Sequence, residues 1–168
     1  NEIGLDPGID HMSAMQMINV IKNKEGVVTS FKSFCGGLIH PQYDNNIWNY
    51  KFTWNPRNVV LAGNGESKFL QDKKIRRLPY KQVFNHTEKV VITNLGSFEA
   101  YPNRDSLHYQ TAYGLEDISS MIRGTLRKEG FCRSWSFLVQ LGLTNDQELI
   151  PNLNNLTYRD YIKIFLED

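Results

Sequence analysis

Three short segments of the chain combine glycine, charged and polar residues between apolar stretches, a composition typical of loops that carry binding sites. The first segment reads Leu5-Asp6-Pro7-Gly8-Ile9-Asp10-His11-Met12. In one interpretation the carboxylate of Asp6 faces a ligand cation, such as an amine or an imine. In the other, Asp6 and Pro7 form a turn and Asp10 caps the helix that follows, with no ligand involved.

The second segment places two glycines directly after a stretch rich in strand-forming residues and reads Ser33-Phe34-Cys35-Gly36-Gly37-Leu38. Gly36 and Gly37 would let backbone N–H groups approach a ligand closely, and a carboxylate could accept hydrogen bonds from such a group of donors. A bulge or a simple strand end explains the two glycines equally well. We expect Cys35 to be a small buried residue and not a nucleophile, because only His40 lies near enough in sequence to activate its thiol.

The third segment is Tyr101-Pro102-Asn103-Arg104-Asp105-Ser106, with Arg123-Gly124-Thr125-Leu126-Arg127 further along the chain. Arg104 offers a planar fork that matches a carboxylate, and Asn103 and Thr125 have side chains that could hydrogen-bond the same ligand. The alternative is a surface ion pair of Arg104 with Asp105 or Glu99, which would contribute little energy.

Lys51-Phe52-Thr53-Trp54 adds a cation, Lys51, and an aromatic wall, Trp54, to these candidates, although a half-buried strand also explains the alternation. No metal site is predicted. The four histidines, at positions 11, 40, 86 and 108, and the two cysteines show no ligand spacing.

The elements that must position these residues follow from periodicity, caps and turns. The apolar residues of the first helix cover most of its circumference, which predicts that this helix is buried. Because strands and helices mix without βαβ alternation, the predicted fold class is α+β. The predicted elements are a helix from Asp10 to Lys24, strands at 27–35 and 50–54, a helix from the Asn55 cap to Ala62, a hairpin over 66–78, a helical turn at 79–84, strands at 88–92 and 97–101, a helix from the Ser106 cap to Tyr113, a strand in the second half of 117–128, helical spacing over 131–139, and a helix with Thr157 and Asp160 as a capping box.

Composition and missing motifs exclude several classes of function. The net charge is +1, from 19 basic and 18 acidic residues, so no strong field attracts nucleic acid or an anionic membrane. No run of 18 apolar residues could span a bilayer, and the first residues lack the features of a signal peptide. No G-x-G-x-x-G fingerprint, P-loop or G-x-S-x-G elbow occurs, so we expect no dinucleotide site within this chain. Two scattered cysteines are typical of a reducing cytoplasm.

Five motifs occur in order along the chain: Asn-Glu-x-Gly-Leu-Asp-Pro-Gly-Ile-Asp-His-Met at 1–12, Cys-Gly-Gly-Leu at 35–38, Tyr-Lys-Phe-x-Trp at 50–54, Tyr-Pro-Asn-Arg-Asp-Ser at 101–106 and Arg-Gly-Thr-Leu-Arg at 123–127. Together they resemble the glutamate-forming saccharopine dehydrogenases, also called saccharopine reductases, through about Leu143. One departure is Ile39-His40-Pro41-Gln42, where the family often has Pro-Ala-Pro-Glu, so an acidic residue is lost from this loop.

The resemblance implies a two-domain enzyme, with a Rossmann domain that binds NADP(H) and a second α+β domain that carries a large mixed sheet with helices on one face. Residues 1–168 would then be this substrate-binding and dimerisation domain, with 144–168 as the possible start of a helical extension. The Rossmann domain would be absent. We expect a cytoplasmic homodimer as the full-length protein, and we expect this fragment alone to be inactive.

The family reaction converts saccharopine reversibly to aminoadipate semialdehyde and glutamate through an imine, in lysine metabolism. By resemblance, Asp6 lies near the substrate amine and is, with Lys51, a candidate catalytic residue. The substrate-binding residues implied by resemblance are Asp6, Cys35, Gly36, Lys51, Trp54, Asn103, Arg104 and Thr125. Two alternatives remain: an imine reductase of the polyamine type, such as carboxynorspermidine or homospermidine synthase, and a non-catalytic dimerisation or ligand-binding module.

Overall fold

Six strands form one mixed sheet in a computed structural model that describes residues 4–61, 65–147 and 149–166. The strands are β1 (Ser30–Cys35), β2 (Ser67–Gln71), β3 (Lys74–Leu78), β4 (Glu88–Ile92), β5 (Gly96–Pro102) and β6 (Ser120–Lys128). The helices are α1 (Ile9–Asn23), α2 (Pro56–Val60), α3 (Tyr80–Val83), α4 (Gln110–Tyr113), α5 (Phe131–Gln140) and α6 (Tyr158–Lys163), with short 3-10 turns at Pro41–Tyr43, Leu107–Tyr109 and Leu153–Asn155. The predicted α+β class with a mixed sheet is confirmed.

Strand β6 lies at the centre of the sheet because it has partners along both edges. On one edge β1 runs parallel to it, from the pair Ser30–Ser120 to the pair Cys35–Thr125. On the other edge β5 runs antiparallel to its second half, and β2 meets it at Met121. Strands β3 and β4 extend the sheet as antiparallel partners of β2 and β5.

The helices that contribute to the core pack on one face of the sheet, as expected from the resemblance. Met121 is completely buried on this face, beneath Ala14 and Ile18 of α1. Further along the same face, Tyr101 of β5 packs with a cluster that includes Phe131 and other residues of α5. Because side chains two residues apart in a strand point the same way, β6 also presents residues 123, 125 and 127 to this helix-bearing face.

The opposite face of the sheet is concave. Its apolar cluster joins residues of β1, β4, β5 and β6 around the buried Phe98 and Leu126. Lys32 of β1 and Glu88 of β4 form an ion pair across this face, with Nζ and Oε2 2.6 Å apart. Three strand spacings, about 14 Å in a flat sheet, separate these two strands. The sheet must therefore curl toward this face.

Several local predictions are confirmed. The hairpin over 66–78 forms as β2 and β3, and the next two strands pair as β4 and β5. The side chain of Asn55 caps α2, although Ala62, the predicted end of this helix, lies outside the described residues. Thr157 and Asp160 form the predicted capping box of α6. Within the part of the chain that the structure describes, no helix has the length and apolar character needed to cross a membrane.

The prediction that the first helix is buried is wrong. Ala14 and Ile18 are buried, whereas Met12, Met17 and Val20 are about half exposed or more. The apolar residues of α1 do surround its axis, but the sheet covers one side of it. The spacing of apolar residues shows which sides of a helix are apolar, but it does not show which of those sides the rest of the protein covers.

Four further local predictions are wrong. Asp10 does not cap α1: the helix begins at Ile9 with Gly8 at the cap, and Asp10 lies in its first turn. Tyr50–Trp54 is not a strand, and β1 begins three residues later than predicted, at Ser30. Ser106 makes no side-chain cap, because its hydroxyl bonds the backbone of β6 instead.

Truncating Met121 should destabilise the protein strongly. Met121 is 0% exposed at the centre of the sheet, and Met→Ala changes at buried positions typically cost about 2–5 kcal/mol. Met17→Ala is the matched control, since Met17 is 61% exposed; it should change the free energy of unfolding by less than about 0.5 kcal/mol. Urea unfolding followed by circular dichroism measures both variants. Equal losses for the two would contradict the burial of Met121.

Candidate functional site

Arg123 of β6 joins the sheet to Asp6, in the segment before α1, and to Asp10, in the first turn of α1. Its Nη2 donates to Oδ2 of Asp10 at 2.5 Å and to Oδ1 of Asp6 at 3.2 Å. The Arg123 and Asp10 side chains are only 12% and 7% exposed, whereas that of Asp6 is 37% exposed. Both oxygens of Asp10 are bonded within the protein, because its Oδ1 accepts the backbone N–H of Gly8. Asp6 therefore remains the more accessible carboxylate of the pair.

Aromatic side chains enclose this ion-pair cluster. The Tyr109 ring lies 4.1 Å from Cζ of Arg123, in cation–π contact. His11 stacks on Tyr109, and its Nδ1 is 2.6 Å from the hydroxyl of Tyr113. Burial alone would lower the pKa of Arg123, but its tyrosine and aspartate neighbours more than offset this and raise the pKa. Arg123 is therefore a permanent cation here.

The backbone of Arg123 is also fixed, by the loop that follows β5. The Ser106 hydroxyl accepts the N–H of Arg123 at 2.9 Å and donates to its carbonyl oxygen at 3.3 Å. The N–H of Asn103 donates to the same carbonyl at 3.1 Å. Asn103, predicted as a substrate ligand, thus lies directly beside Arg123.

Cys35 lies beside this cluster, at the end of β1, in register with Thr125 of β6. Burial raises the pKa of the Cys35 thiol above its usual range, and the charges of Asp6 and Asp10 raise it further, while nearby arginines oppose the shift. The thiol is therefore protonated at neutral pH. Cys35 is only partly buried, so the prediction of a buried residue is wrong, and its lack of a nucleophilic role stays a prediction. Cys35 and Cys132 are both free thiols.

Gly36 allows the chain to cross very close to β6. A Cβ atom at this position would lie 2.1 Å from the carbonyl oxygen of Leu126 and 3.2 Å from Nη1 of Arg127. No side chain fits at the first of these distances, so the close approach itself requires glycine. The Cys35-Gly36 backbone is thereby held next to the Arg127 guanidinium.

Arg127 is 93% buried, since only 7% of it is exposed, and no salt bridge to it exists among the described residues. Its guanidinium lies over the rings of Tyr50 at 4.8 Å and Phe131 at 5.4 Å. Nη1 donates to the Leu126 carbonyl. Two buried polar atoms here, Nε of Arg127 and the hydroxyl of Tyr50, have no hydrogen-bond partner among the residues that the structure describes.

Thr125 occupies the position between the two arginines on the same face of β6. Its neighbour across the strands is Tyr101 of β5. Burial raises the pKa of Tyr101 to about 12, although the charge of Arg127 and a hydrogen bond with Thr125 act in the opposite direction. Tyr101 is therefore an uncharged neighbour of this site at physiological pH.

Lys51 and Trp54 lie on a loop that passes the Cys35-Gly36-Gly37 segment. The Thr53 hydroxyl is 3.2 Å from the place a Gly37 Cβ would occupy. Lys51 is half-buried and Trp54 is exposed. Neither side chain forms a hydrogen bond or an ion pair with the described parts of the protein, so both are available at the edge of the site.

Arg104 is exposed and has a left-handed backbone, with φ at 52°. The surface pairs that the sequence offered as an alternative do not form. Asp105 pairs with Lys68 at 3.3 Å, and Glu99 accepts the backbone N–H of Cys132 at 2.9 Å. The Arg104 guanidinium makes no ion pair within the described ranges, and so it could still receive a carboxylate.

A cleft of about 340 Å³ opens between α1 and β1 beside these residues. Asp10, Cys35 and Gly36 are part of its wall, and Leu5, Ile9 and Phe31 make another part apolar. Asp6, Asp10 and His11 also lie close enough together to suggest a cation site, with ligand atoms within 4.8 Å. Arg123 already supplies a cation between the two carboxylates, so the cluster needs no metal for neutralisation.

The structure thus brings Asp6, Cys35, Gly36 and Thr125 into one region, with Asn103 adjacent. The sequence had not selected Asp10, Arg123, Arg127 or Tyr50 as site residues. The available signal was the spacing of Arg123, Thr125 and Arg127, which a strand presents on a single face. The roles of all these residues in binding stay predictions.

Comparison with known proteins identifies relatives over nearly the whole chain. The saccharopine dehydrogenase C-terminal domain model matches residues 4–168. An alpha-aminoadipic semialdehyde synthase of Arabidopsis thaliana is 43% identical over 149 residues, covering 87% of this chain and 14% of the relative. The NADP(+), L-glutamate-forming saccharopine dehydrogenase of Schizosaccharomyces pombe is 39% identical over 163 residues, covering 95% of this chain and 36% of the relative.

A solved structure shares the fold. The apo histidine-tagged saccharopine dehydrogenase (L-Glu forming) from Saccharomyces cerevisiae superposes with a TM-score of 0.78 at 38% identity. The match covers 88% of this chain and 33% of that one. The chain therefore spans about a third or less of the length of most of these relatives, and it corresponds to one part of a larger protein in each case.

Replacing Asp6 by Asn should increase the reactivity of Cys35 toward iodoacetamide at a fixed pH near 8. The negative charge of Asp6 raises the pKa of the Cys35 thiol, so removing it lowers that pKa and increases the thiolate fraction. Mass spectrometry of the alkylated peptide gives the rate. Asp72→Asn, in the turn between β2 and β3, is the control and should leave the rate unchanged. A slower rate for Asp6→Asn would show that the charge does not act on this thiol.

Proposed function

Because this chain belongs to the saccharopine dehydrogenase C-terminal domain family, we propose that it forms the substrate-binding part of an NADP-linked oxidoreductase. The reaction is the reversible conversion of saccharopine to aminoadipate semialdehyde and glutamate, in lysine metabolism. The observation that carries the proposal is the buried Arg127, whose guanidinium lacks an ion-pair partner within the described residues and borders the Cys35-Gly36 backbone.

Saccharopine carries three carboxylates and a secondary amine, so its site needs several anion receptors and one group for the nitrogen. Arg127 is suited to the first role, because a buried cation without a counter-ion gains most from a bound carboxylate. The free Nε of Arg127 and the free hydroxyl of Tyr50 supply donors in the same place. The proposal extends to the Cys35-Gly36 backbone as a further donor surface.

Arg104, Asn103 and Thr125 are proposed ligands of the remaining carboxylates. Arg104 has an exposed guanidinium with no ion pair among the described residues, and it can bind a carboxylate bidentately. Asn103 lies beside Arg123, and Thr125 lies between the two arginines of β6. Lys51 and Trp54 extend the site from the neighbouring loop, as a cation and an apolar wall.

The amine is proposed to bind at Asp6. Two carboxylates, Asp6 and Asp10, face a single guanidinium, that of Arg123, so the cluster has a net charge of −1. The excess negative charge favours a protonated amine at the more exposed carboxylate, Asp6. One end of the site is then anionic and the other cationic, which fixes the direction of a substrate with both kinds of charge.

In the oxidative direction, NADP⁺ bound outside this chain would serve as the acceptor of a hydride from the carbon next to the nitrogen, and water would hydrolyse the resulting imine to the aldehyde and the amine. The residues of this chain would hold the carboxylates, orient that carbon and move protons. Asp6 and Lys51 are the proposed proton carriers: the ammonium must lose a proton before the hydride leaves, and hydrolysis needs a further proton transfer. The sequence contains no G-x-G-x-x-G fingerprint, so the proposal assigns the cofactor to a Rossmann domain outside this chain.

Homodimerisation and a cytoplasmic location complete the proposal. The apolar residues exposed on α1, including Met12, Met17 and Val20, would be covered in a larger assembly. The two free thiols are compatible with a reducing compartment. Light scattering of the full-length protein would decide its oligomeric state.

Arg104→Ala in the full-length protein should weaken saccharopine binding about tenfold or more, which corresponds to roughly 1.5 kcal/mol for a lost charge-assisted hydrogen bond. Isothermal titration with saccharopine, with and without NADP⁺, measures the affinity. The matched control is Arg76→Ala, since Arg76 is also exposed and carries no ion pair in the described part of the chain. Unchanged affinity for the Arg104 variant would remove its carboxylate role.

Turnover distinguishes the proposed function from its two alternatives. The full-length protein should reduce NADP⁺ when given saccharopine and release glutamate, whereas this chain alone should produce no NADPH. Turnover of carboxynorspermidine in place of saccharopine would indicate a polyamine-type enzyme. Saccharopine binding without any NADP⁺ reduction would indicate a non-catalytic ligand-binding module.

A further inference from the structure

We propose that Arg123 is a positioning residue that acts through Asp6, and that Asp10 and Arg123 together form a clamp that holds the Asp6 carboxylate at the substrate amine. This proposal rests on the function proposed above, in which Asp6 receives the amine. It assigns a distinct task to two residues that would not touch the substrate themselves.

The two carboxylates that Arg123 contacts differ in their other hydrogen bonds and in their exposure. Asp10 uses Oδ2 for Arg123 and Oδ1 for the N–H of Gly8, and its side chain is only 7% exposed, so it is much less available to a ligand than Asp6. Asp6 has a single bond, at 3.2 Å, from the same Arg123 nitrogen. The tighter and more buried contact of Asp10 therefore fixes the guanidinium, and the guanidinium orients Asp6.

The clamp is rigid on the sheet side. The carbonyl and the N–H of Arg123 are both bonded to the Ser106 hydroxyl, and Ser106 is almost completely buried. The Tyr109 ring covers one face of the guanidinium. A side chain fixed at its backbone, its π-face and its terminal nitrogen has little rotamer freedom left, as a positioning residue requires.

The clamp is also attached to the first turn of α1 by a second contact. His11 follows Asp10 in that turn, and its Nδ1 lies 2.6 Å from the hydroxyl of Tyr113 at the end of α4. Asp6 has no comparable contact with the sheet apart from Arg123, since its hydrogen-bonded partner among the described side chains is that arginine. Loss of Arg123 would free Asp6 while the start of α1 stays held at His11.

A double-mutant cycle between Arg123 and Asp6 in the full-length protein tests the proposal. Arg123→Ala should lower kcat/KM for saccharopine oxidation about tenfold or more in the wild-type background, but less than about threefold in an Asp6→Asn background, because its effect passes through Asp6. A purely structural arginine would cost the same in both backgrounds, and equal losses would overturn the proposal. Added guanidinium ion should restore part of the activity of Arg123→Ala and none of the activity of the double variant; rescue of both, or of neither, would also overturn it.

A measurement without substrate separates this proposal from the proposed function. In urea unfolding, the midpoint shift of the double variant should be smaller than the sum of the two single shifts, since the contact can be lost only once. Additive shifts mean that Arg123 and Asp6 do not interact, which overturns the clamp whether or not the enzyme acts on saccharopine. If the shifts are not additive but the wild-type protein does not oxidise saccharopine, the clamp is retained and the proposed function is refuted.

Discussion

The pairing of β6 along both of its edges is the constraint on which the core and the candidate site both depend. Its parallel contact with β1 and its antiparallel contact with β5 fix a single register. In that register Met121 completes the core beneath α1, and Arg123 and Arg127 emerge on the same face. A slip by one residue would turn all of them to the concave side of the sheet. The residues that stabilise the domain and those that could bind a ligand therefore cannot vary independently.

The two arginines of β6 are held in opposite electrostatic situations. Arg123 faces two carboxylates, whereas Arg127 faces aromatic rings and backbone, with no salt bridge among the described residues. A buried donor without a partner typically lowers stability by about 1–3 kcal/mol, and this applies to Nε of Arg127 and the hydroxyl of Tyr50. A bound carboxylate would supply the missing partner and remove this penalty. This arrangement is typical of a site that is formed before its ligand arrives.

Local chemistry determined which elements could be predicted from the sequence. The β2–β3 hairpin and the β4–β5 pair follow from turn residues between strand-forming runs, and the capping box of α6 follows from Thr157 and Asp160. The prediction of a strand at 50–54 was wrong because the alternation of apolar and polar residues there belongs to a loop whose Tyr50 is buried beside Arg127. The exposure of α1 could not be predicted, because a helix with apolar residues on every side does not reveal which side the rest of the protein covers.

Candidate site residues could be selected from the sequence where one loop carries its own signal, as at Asp6 and at Gly36, but not where residues distant in sequence complete the cluster. Their roles in binding stay predictions. Arg123 lies more than a hundred residues from Asp6 in sequence, and a charged residue in a strand ordinarily faces solvent. Only the tertiary fold reveals that its partners are Asp6, just before α1, and Asp10, in the first turn of α1. The same turn begins the helix whose outer side is apolar and exposed. Because Asp10 belongs to that helix and shares the Arg123 guanidinium with Asp6, a movement of α1 would act on Asp6 through that guanidinium.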